Sequence, residues 1–391
     1  MLNWQMSHEQ QILVDTVRKF VETEVQPLES EVEQLGHIPD DKLNAIKSKA
    51  QALGLYAMNM PAEVGGGGLS TTEMCLVEEE FGKTSDALIR RIFGQVYPML
   101  MACRGDQRDR YLLPTVKGDL ICAMAITEPG AGSDAASITT AAHVDGNQWV
   151  INGTKHFISD GDIADYTIVM VLTDKAKRAR GGITLLLVDK GTPGFTVTRR
   201  QHMMGHRGYG HAELSFVDCR IPVANLLGAA GAGFKLIMES VSAVRLAHIG
   251  ARSVGMARRV LEMMRHHANE RRQFGKPIGE FQMIQQMIAD SATEIFAARM
   301  MVLATAAELD SGRDPRDKVS MVKLFASENA WPRRRPRNPG LRWHGLLQGS
   351  SVGAHCTGRA GDSHLRRYLG DPPYAYRSQR PEEWTGCVEG P

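Results

Sequence analysis

Residues 125–135, AITEPGAGSDA, are the segment most heavily loaded with groups that could do chemistry. Gly130, Gly132 and Ala135 give a G-x-G-x-x-A spacing, which binds dinucleotides only between a strand and a helix. The residues that follow, ASITTAAHV, are rich in β-branched types, so the Rossmann reading is rejected. What remains is a polar loop leaving a strand. Its Thr127 and Ser133 hydroxyls and exposed backbone N–H groups can meet a phosphate or a polar ring edge, or it is simply a tight turn. His202, His206 and His211 crowd another stretch, but they fit no helix face and bring no carboxylate or cysteine, so no metal site is read there. Arg90-Arg91 could recognise an acidic substrate group, with a surface pair as the default reading. His266-His267 reads as a solvated helix face. The glycines of PAEVGGGGLS (61–70) make a turn, because no Lys-Ser/Thr follows to hold a phosphate. No Ser/His/Asp or Cys/His constellation offers a nucleophile.

The elements that must position these groups fall into three stretches of a 391-residue chain, 43% apolar and 23% charged. No apolar run is long enough to span a membrane. Six scattered cysteines show neither metal spacing nor a disulfide framework, so a reducing, cytoplasmic location is expected. The expected fold class is α+β. Residues 1–120 read as a helical domain: Ser7 and Gln10 suggest a capping box, and Ile12, Leu13, Val17, Phe20, Val21 and Val25 share a helical face. A second helix is expected from Asp40 to about Gly54. Residues 121–228 switch to a strand period and read as an antiparallel β domain, with Asn152-Gly153 as a hairpin turn. Residues 229–330 read as a helical bundle built from one long helix over 234–272 and another over 281–310. The formal charge of +2 divides into +5 over 331–391 and −3 over the rest, and that mildly acidic body argues against a nucleic-acid partner.

Together the segments resemble the acyl-CoA dehydrogenase family of flavoenzymes over residues 1–330. AITEPGAGSD is similar to the family's T-E-P-x-x-G-S-D signature, and NGTKHFISDG to N-G-x-K-x-x-I-T-N-G. MGHRGYGHAELSFVDCRIP and ERRQFGKPIGEFQ resemble two further signatures in the same order. The resemblance implies a helical domain, a β domain and a C-terminal bundle, assembled as a homotetramer with FAD between the last two. It implies flavin contacts from Ile126, Thr127, Gly132 and Ser133, with Phe157 and Ser159 where the family usually has Trp and Thr. Arg271, Phe274 and Gln282 would reach a neighbouring subunit's FAD. Ser133 and Arg245 would touch the acyl-CoA, with Ser242 standing where Asp is common. Electrons would pass to an electron-transfer flavoprotein, or to O₂ in an oxidase variant. The chemistry needs a carboxylate to remove the α-proton while hydride leaves the β-carbon for the flavin. Val244 occupies one location of that base in the family, and the usual I-Y-E-G-T motif is absent from the chain. The catalytic base is therefore unassigned.

Residues 331–391 contain no Ile, Met, Phe or Lys but hold 7 of the 17 prolines. Read one base into the Trp331 codon, the degenerate code permits GRVADRAIQVFGG up to Trp343. It then permits MGY, PLERIVR from Ser351 to Gly358, and RVTRIYEGTSEIHRM from Ala360 to Ala375. The codon spanning Arg366 and Arg367 permits Glu or Asp at the base position. The tail is thus expected to be out of frame and irregular, leaving an apolar face of the bundle uncovered and the chain short of its base. Two function classes follow: an FAD-dependent acyl-CoA dehydrogenase, or a silent flavin- and acyl-CoA-binding remnant.

Overall fold

The computed structural model describes residues 5–94, 96–201, 208 and 210–329. The readings on His202, His206 and the 331–391 tail lie outside them. Helix α1 (His8–Phe20) starts on a closed capping box: the Ser7 hydroxyl accepts from Gln10 N–H, and the Gln10 side chain accepts from Ser7 N–H. Val17, Phe20, Val21 and Val25 are buried, but Ile12 is 53% exposed. It lies five residues before Val17, about 140° around the helix from the apolar stripe. Helices α2 (Glu29–Leu35), α3 (Asp40–Ala52), α4 (Thr71–Phe81), α5 (Asp86–Phe93) and α6 (Leu113–Lys117) complete the N-terminal unit. The glycine run between α3 and α4 is a turn that folds tightly onto residues 58–60. A Cβ at Gly66 would run into the Met60 carbonyl.

Strands β1 (Cys122–Ala125), β2 (Ala141–Asp145), β3 (Gln148–Ser159), β4 (Tyr166–Leu172), β5 (Ile183–Asp189), β6 (Phe195–Gln201), β7 (His211–Pro222) and β8 (Leu226–Leu227) form one sheet. Its order is β6-β7-β3-β2-β4-β5-β8, with β1 against β4. Two features correct the sequence reading. The sheet is mixed, because β1 runs parallel to β4 from Cys122↔Tyr166 to Ala125↔Val169. The β2–β3 excursion between them supplies the long crossover that a parallel pair requires. Asn152-Gly153 is also not a turn. Strand β3 runs through it with a register shift between Ile151 and Gly153, and the Asn152 side chain bonds across to Asp218. The hairpin turn is Gly146-Asn147, which joins Asp145 to its partner Gln148. Both dipeptides carry turn chemistry, and only the strand pairing distinguishes them.

Helix α7 (Gly233–Val244), a π-helical stretch (Arg245–Ala251) and α8 (Arg252–Glu270) follow one another directly. The β9 (Arg272–Gln273) and β10 (Lys276–Pro277) hairpin then leads to α9 (Gln282–Asp310) and α10 (Arg316–Asn329). One core joins the N-terminal helices to α9, α10 and the π-helical stretch; two more lie on either side of the sheet. Among the described residues no helix is long and apolar enough to cross a membrane.

Charged side chains bind the helical units together. Glu78, Glu79 and Glu80 on α4 are 2%, 4% and 1% exposed. Consecutive helical residues point about 100° apart, so each reaches a different neighbour. Glu78 pairs with Arg252 at 2.6 Å and His248 at 3.1 Å, Glu79 with Arg258 and with Arg299 at 2.8 Å, and Glu80 with Lys83 at 2.7 Å and Arg18 at 3.2 Å. Burial alone would raise the Glu78 and Glu80 carboxyls. Arg252 and His248 on the first, and Arg18 and Lys83 on the second, more than offset it, and both end below the usual carboxylate value. Folded values below unfolded ones mean that this stabilisation is complete above the ordinary carboxylate range and is lost as pH falls through the folded values. Helical circular dichroism is therefore expected to fall cooperatively below about pH 4. A signal unchanged down to about pH 2 would contradict this.

Candidate functional site

The 126–133 loop leaves β1 and is fastened to β3 by a buried ion pair. Lys155, 0% exposed, donates from Nζ to the Ile126 carbonyl at 2.9 Å and to Glu128 Oε1 at 2.9 Å. The Glu128 carboxylate also accepts from Thr139 N–H at 2.6 Å, the Thr139 hydroxyl at 2.7 Å and Thr140 N–H at 2.9 Å. Burial alone would raise this carboxyl; the Lys155 ammonium and the Thr140 and Thr139 donors bring it down to about 2. Burial pulls the ammonium down to about 8 against the pull of Glu128. The pair is charged at neutral pH. Mutual hydrogen bonds between Glu128 and Ala131, at 3.0 and 3.2 Å, close the turn over Pro129 and Gly130.

His156 N–H donates to the Thr127 carbonyl at 2.8 Å, so the loop is also tied to a bulge where β3 shifts register between Lys155 and Ile158. Phe157 sits in that bulge at φ 58°, a conformation uncommon outside glycine, with its ring 4.0 Å from that of His156. These ties set Ile126 and Thr127 against Lys155 and His156, beside Phe157; Ser159 follows two residues further along β3, and Gly132 and Ser133 continue the loop beyond its turn. Thr127 is 5% exposed, and its Oγ1 has no hydrogen-bond partner among the described residues. A hydroxyl buried without a partner costs about 1–3 kcal/mol, which a ligand atom in reach would recover.

Arg245 opens the π-helical stretch. Its Nε is buried without a partner among the described residues, and burial lowers its pKa. Such a guanidinium has donors to offer a carbonyl or an anion. The preceding Val244 supplies no proton-accepting group. Arg271, Phe274 and Gln282 stand apart, exposed around the β9–β10 hairpin, and Phe274 is 93% exposed at φ 52°. Within one chain they face solvent. Arg90 corrects the surface reading: its side chain is 10% exposed and donates to Asp160, the residue after Ser159, at 2.6 Å.

Matches to known proteins agree with this layout. The N-terminal, middle and C-terminal acyl-CoA dehydrogenase domains match residues 7–119, 123–219 and 231–333. The chain belongs to the acyl-CoA dehydrogenase family. It is 38% identical to the acryloyl-CoA reductase (NADH) of Anaerotignum propionicum over 350 residues, which covers 88% of this chain and 86% of that one. It is 34% identical to the human mitochondrial short-chain specific acyl-CoA dehydrogenase, covering 82% and 77%. A probable acyl-CoA dehydrogenase from Mycobacterium abscessus has the same fold, with TM-score 0.84, 34% identity and coverage of 92% and 96%. None of these matches bears out an out-of-frame tail.

Members of this family are FAD-dependent oxidoreductases. The residues present are compatible with that cofactor, because the buried Thr127 hydroxyl has no partner among the described residues and so has a hydrogen bond to offer a polar ligand atom. The sequence reading missed the pair that fixes the loop. Glu128 and Lys155 sit inside two of the quoted motifs, but a separation of 27 residues gives no sign that they touch. Asp160 and Glu78 were missed as well. The visible signal for Glu78 was three consecutive acids in an otherwise apolar helical run.

Proposed function

We propose that this acyl-CoA dehydrogenase oxidises an acyl-CoA thioester to its α,β-enoyl-CoA. FAD is held by Ile126, Thr127, Gly132, Ser133, Phe157 and Ser159, and Ser133 and Arg245 meet the pantetheine and nucleotide parts of the acyl-CoA. The observation that carries this reading is the buried, unpartnered Thr127 hydroxyl on a loop immobilised by Glu128 and Lys155. Bound FAD supplies the acceptor for the hydride that leaves the β-carbon. The chain's own part is positional. The ion pair holds the loop's N–H groups before ligand arrives, so little reorganisation is needed during reaction. Phe157 offers an apolar wall that excludes water, and Arg245 attracts the pantetheine carbonyls or the anionic nucleotide of the CoA. The α-proton still requires a carboxylate, which Val244 cannot provide.

The same contacts serve reduction of an enoyl-CoA, the direction in the name of the Anaerotignum propionicum relative. An electron-transfer flavoprotein is the proposed acceptor in the oxidative direction, and peroxide formation would identify an oxidase instead. The exposure of Phe274 supports a homotetramer in which Arg271, Phe274 and Gln282 complete a neighbour's FAD site. A silent flavin- and acyl-CoA-binding remnant is the second reading, favoured by the absence of an I-Y-E-G-T motif together with the apolar Val244.

Thr127→Val is expected to weaken FAD binding about tenfold, the loss of one hydrogen bond, measured by fluorescence titration of apoprotein. Unchanged affinity would remove Thr127 from the site. Arg245→Gln is expected to raise the acyl-CoA Kd about tenfold while FAD affinity stays constant. Dye-linked oxidation of a panel of acyl-CoAs tests the function itself. Turnover supports dehydrogenation, and acyl-CoA binding without turnover supports the remnant.

A further inference from the structure

Arg90 on α5 reaches out of the N-terminal helices to Asp160, the residue that follows β3. Both side chains are nearly buried, at 10% and 8% exposure. The guanidinium donates to Asp160 Oδ2 from Nη2 at 2.6 Å and from Nε at 3.3 Å. Asp160 Oδ1 is buried with no hydrogen-bond partner among the described residues. The carboxylate therefore depends on Arg90, and removing one partner of a buried pair leaves the other charge uncompensated.

Asp160 is where β3 turns away from the sheet. Beyond the bulge at Phe157, only Ile158↔Ala212 and Ser159↔His211 keep the strand paired with β7. Asp160 N–H then donates to the Gly210 carbonyl at 3.0 Å, and its own carbonyl accepts from Ile163 and Ala164 N–H at 3.0 and 2.9 Å. Its φ is 58°, as is that of Phe157 three residues earlier. Left-handed backbone at two non-glycine residues persists only where the surroundings over-determine it. Lys155 fixes one end of this short stretch through the Ile126 carbonyl, and Asp160 fixes the other. Between them lie Phe157 and Ser159. In the element that this stretch resembles, N-G-x-K-x-x-I-T-N-G, a neutral Asn stands where this chain has Asp160. The carboxylate adds a charge that an amide would not, and Arg90 answers it.

We propose that Arg90 is a positioning residue for the flavin. By neutralising Asp160 it holds the end of β3, and with it Phe157 and Ser159, in the conformation that receives the cofactor. Without Arg90 the carboxylate turns toward water, and the peptide after Ser159 turns with it. The proposal rests on the FAD contacts proposed above and adds to them a residue that acts through Asp160.

The test is FAD titration of full-length apoprotein by fluorescence, with the visible spectrum of the bound flavin recorded alongside. The proteins compared are wild type, Arg90→Met, Arg90→Lys and the double variant Arg90→Met/Asp160→Asn. Arg90→Met is expected to weaken FAD binding at least about tenfold and to shift the visible band of the flavin that still binds. The double variant strands neither charge and is expected to return to within about threefold of wild type. Arg90→Lys keeps the charge but not the two-pronged geometry, so it should retain most of the affinity with a shifted band. Wild-type affinity and spectrum in Arg90→Met overturn the proposal, and so does a double variant that binds FAD no better than Arg90→Met. Urea unfolding of each apoprotein identifies a merely structural pair: the midpoint would fall while the Kd and spectrum of folded protein stayed at wild type, which also overturns it. If Arg90→Met does not fold, the spectrum of Arg90→Lys decides, a shifted band supporting the proposal and an unchanged one overturning it. Wild type that binds FAD no more tightly than Arg90→Met refutes this inference alone. Wild type that binds no FAD refutes the flavin reading and this inference together.

Discussion

Lys155→Met is expected to destabilise the protein by about 3–5 kcal/mol, because it leaves the Glu128 carboxylate buried and uncompensated. The loss should extend to cofactor binding. Lys155 Nζ also holds the Ile126 carbonyl, so the loop carrying Thr127 loses two of its ties at once. Glu128→Gln keeps an amide oxygen that accepts from the Thr139 and Thr140 N–H groups but leaves the fully buried Lys155 ammonium without its counter-charge, so it is expected to be destabilising as well. The double variant is expected to cost less than the sum of the single ones, because neither charge is then stranded. Urea unfolding of the four proteins with FAD titrations of each checks this. Additive effects, or a Lys155→Met protein that keeps wild-type FAD affinity, would show that the pair does not fix the loop.

Glu79→Gln carries the second large effect, about 1–3 kcal/mol, because charge-assisted hydrogen bonds to two guanidinium groups are lost. Glu79 is the shared partner of Arg258 on α8 and Arg299 on α9, so its loss removes the main counter-charge of two half-buried guanidinium groups at the junction of three helices, leaving Arg258 only a 3.9 Å contact with Glu80. No space is available for rearrangement. A Cβ at Gly255 would run into the Glu79 carbonyl, and one at Gly82 into the Arg252 carbonyl, so α4 and α8 already touch backbone to backbone. Calorimetric unfolding should show the helical units of Glu79→Gln melting earlier than those of wild type. An unchanged melting profile would mean that apolar packing alone joins the units.

Residues whose role is set by local pattern are legible in the amino-acid sequence. The Ser7 capping box follows from its residue types, the buried face through Val17 and Val25 from a spacing of 3.6 residues, and the strands around Tyr166 and Ile183 from short continuous runs of β-branched and other apolar residues. The loop carrying Thr127 and Ser133 is legible because strand-like residues follow it. What could not be read depends on contacts between distant segments. Glu128 with Lys155, Arg90 with Asp160, and Glu78 with His248 and Arg252 leave no mark in local periodicity. The parallel pairing of β1 with β4 escaped for the same reason, and so did the passage of β3 through Asn152-Gly153. In that strand, pairing along β7 overrode the turn preference of two residues.

Anaerobic titration of the FAD-loaded protein with an acyl-CoA, followed by its visible flavin absorption, tests the central claim most directly. The account predicts that the flavin band bleaches in proportion to added thioester, while Thr127→Val and Arg245→Gln require more FAD and more thioester respectively. A band that persists at saturating thioester, in protein shown to bind both ligands, would contradict dehydrogenation and identify the chain as a silent remnant.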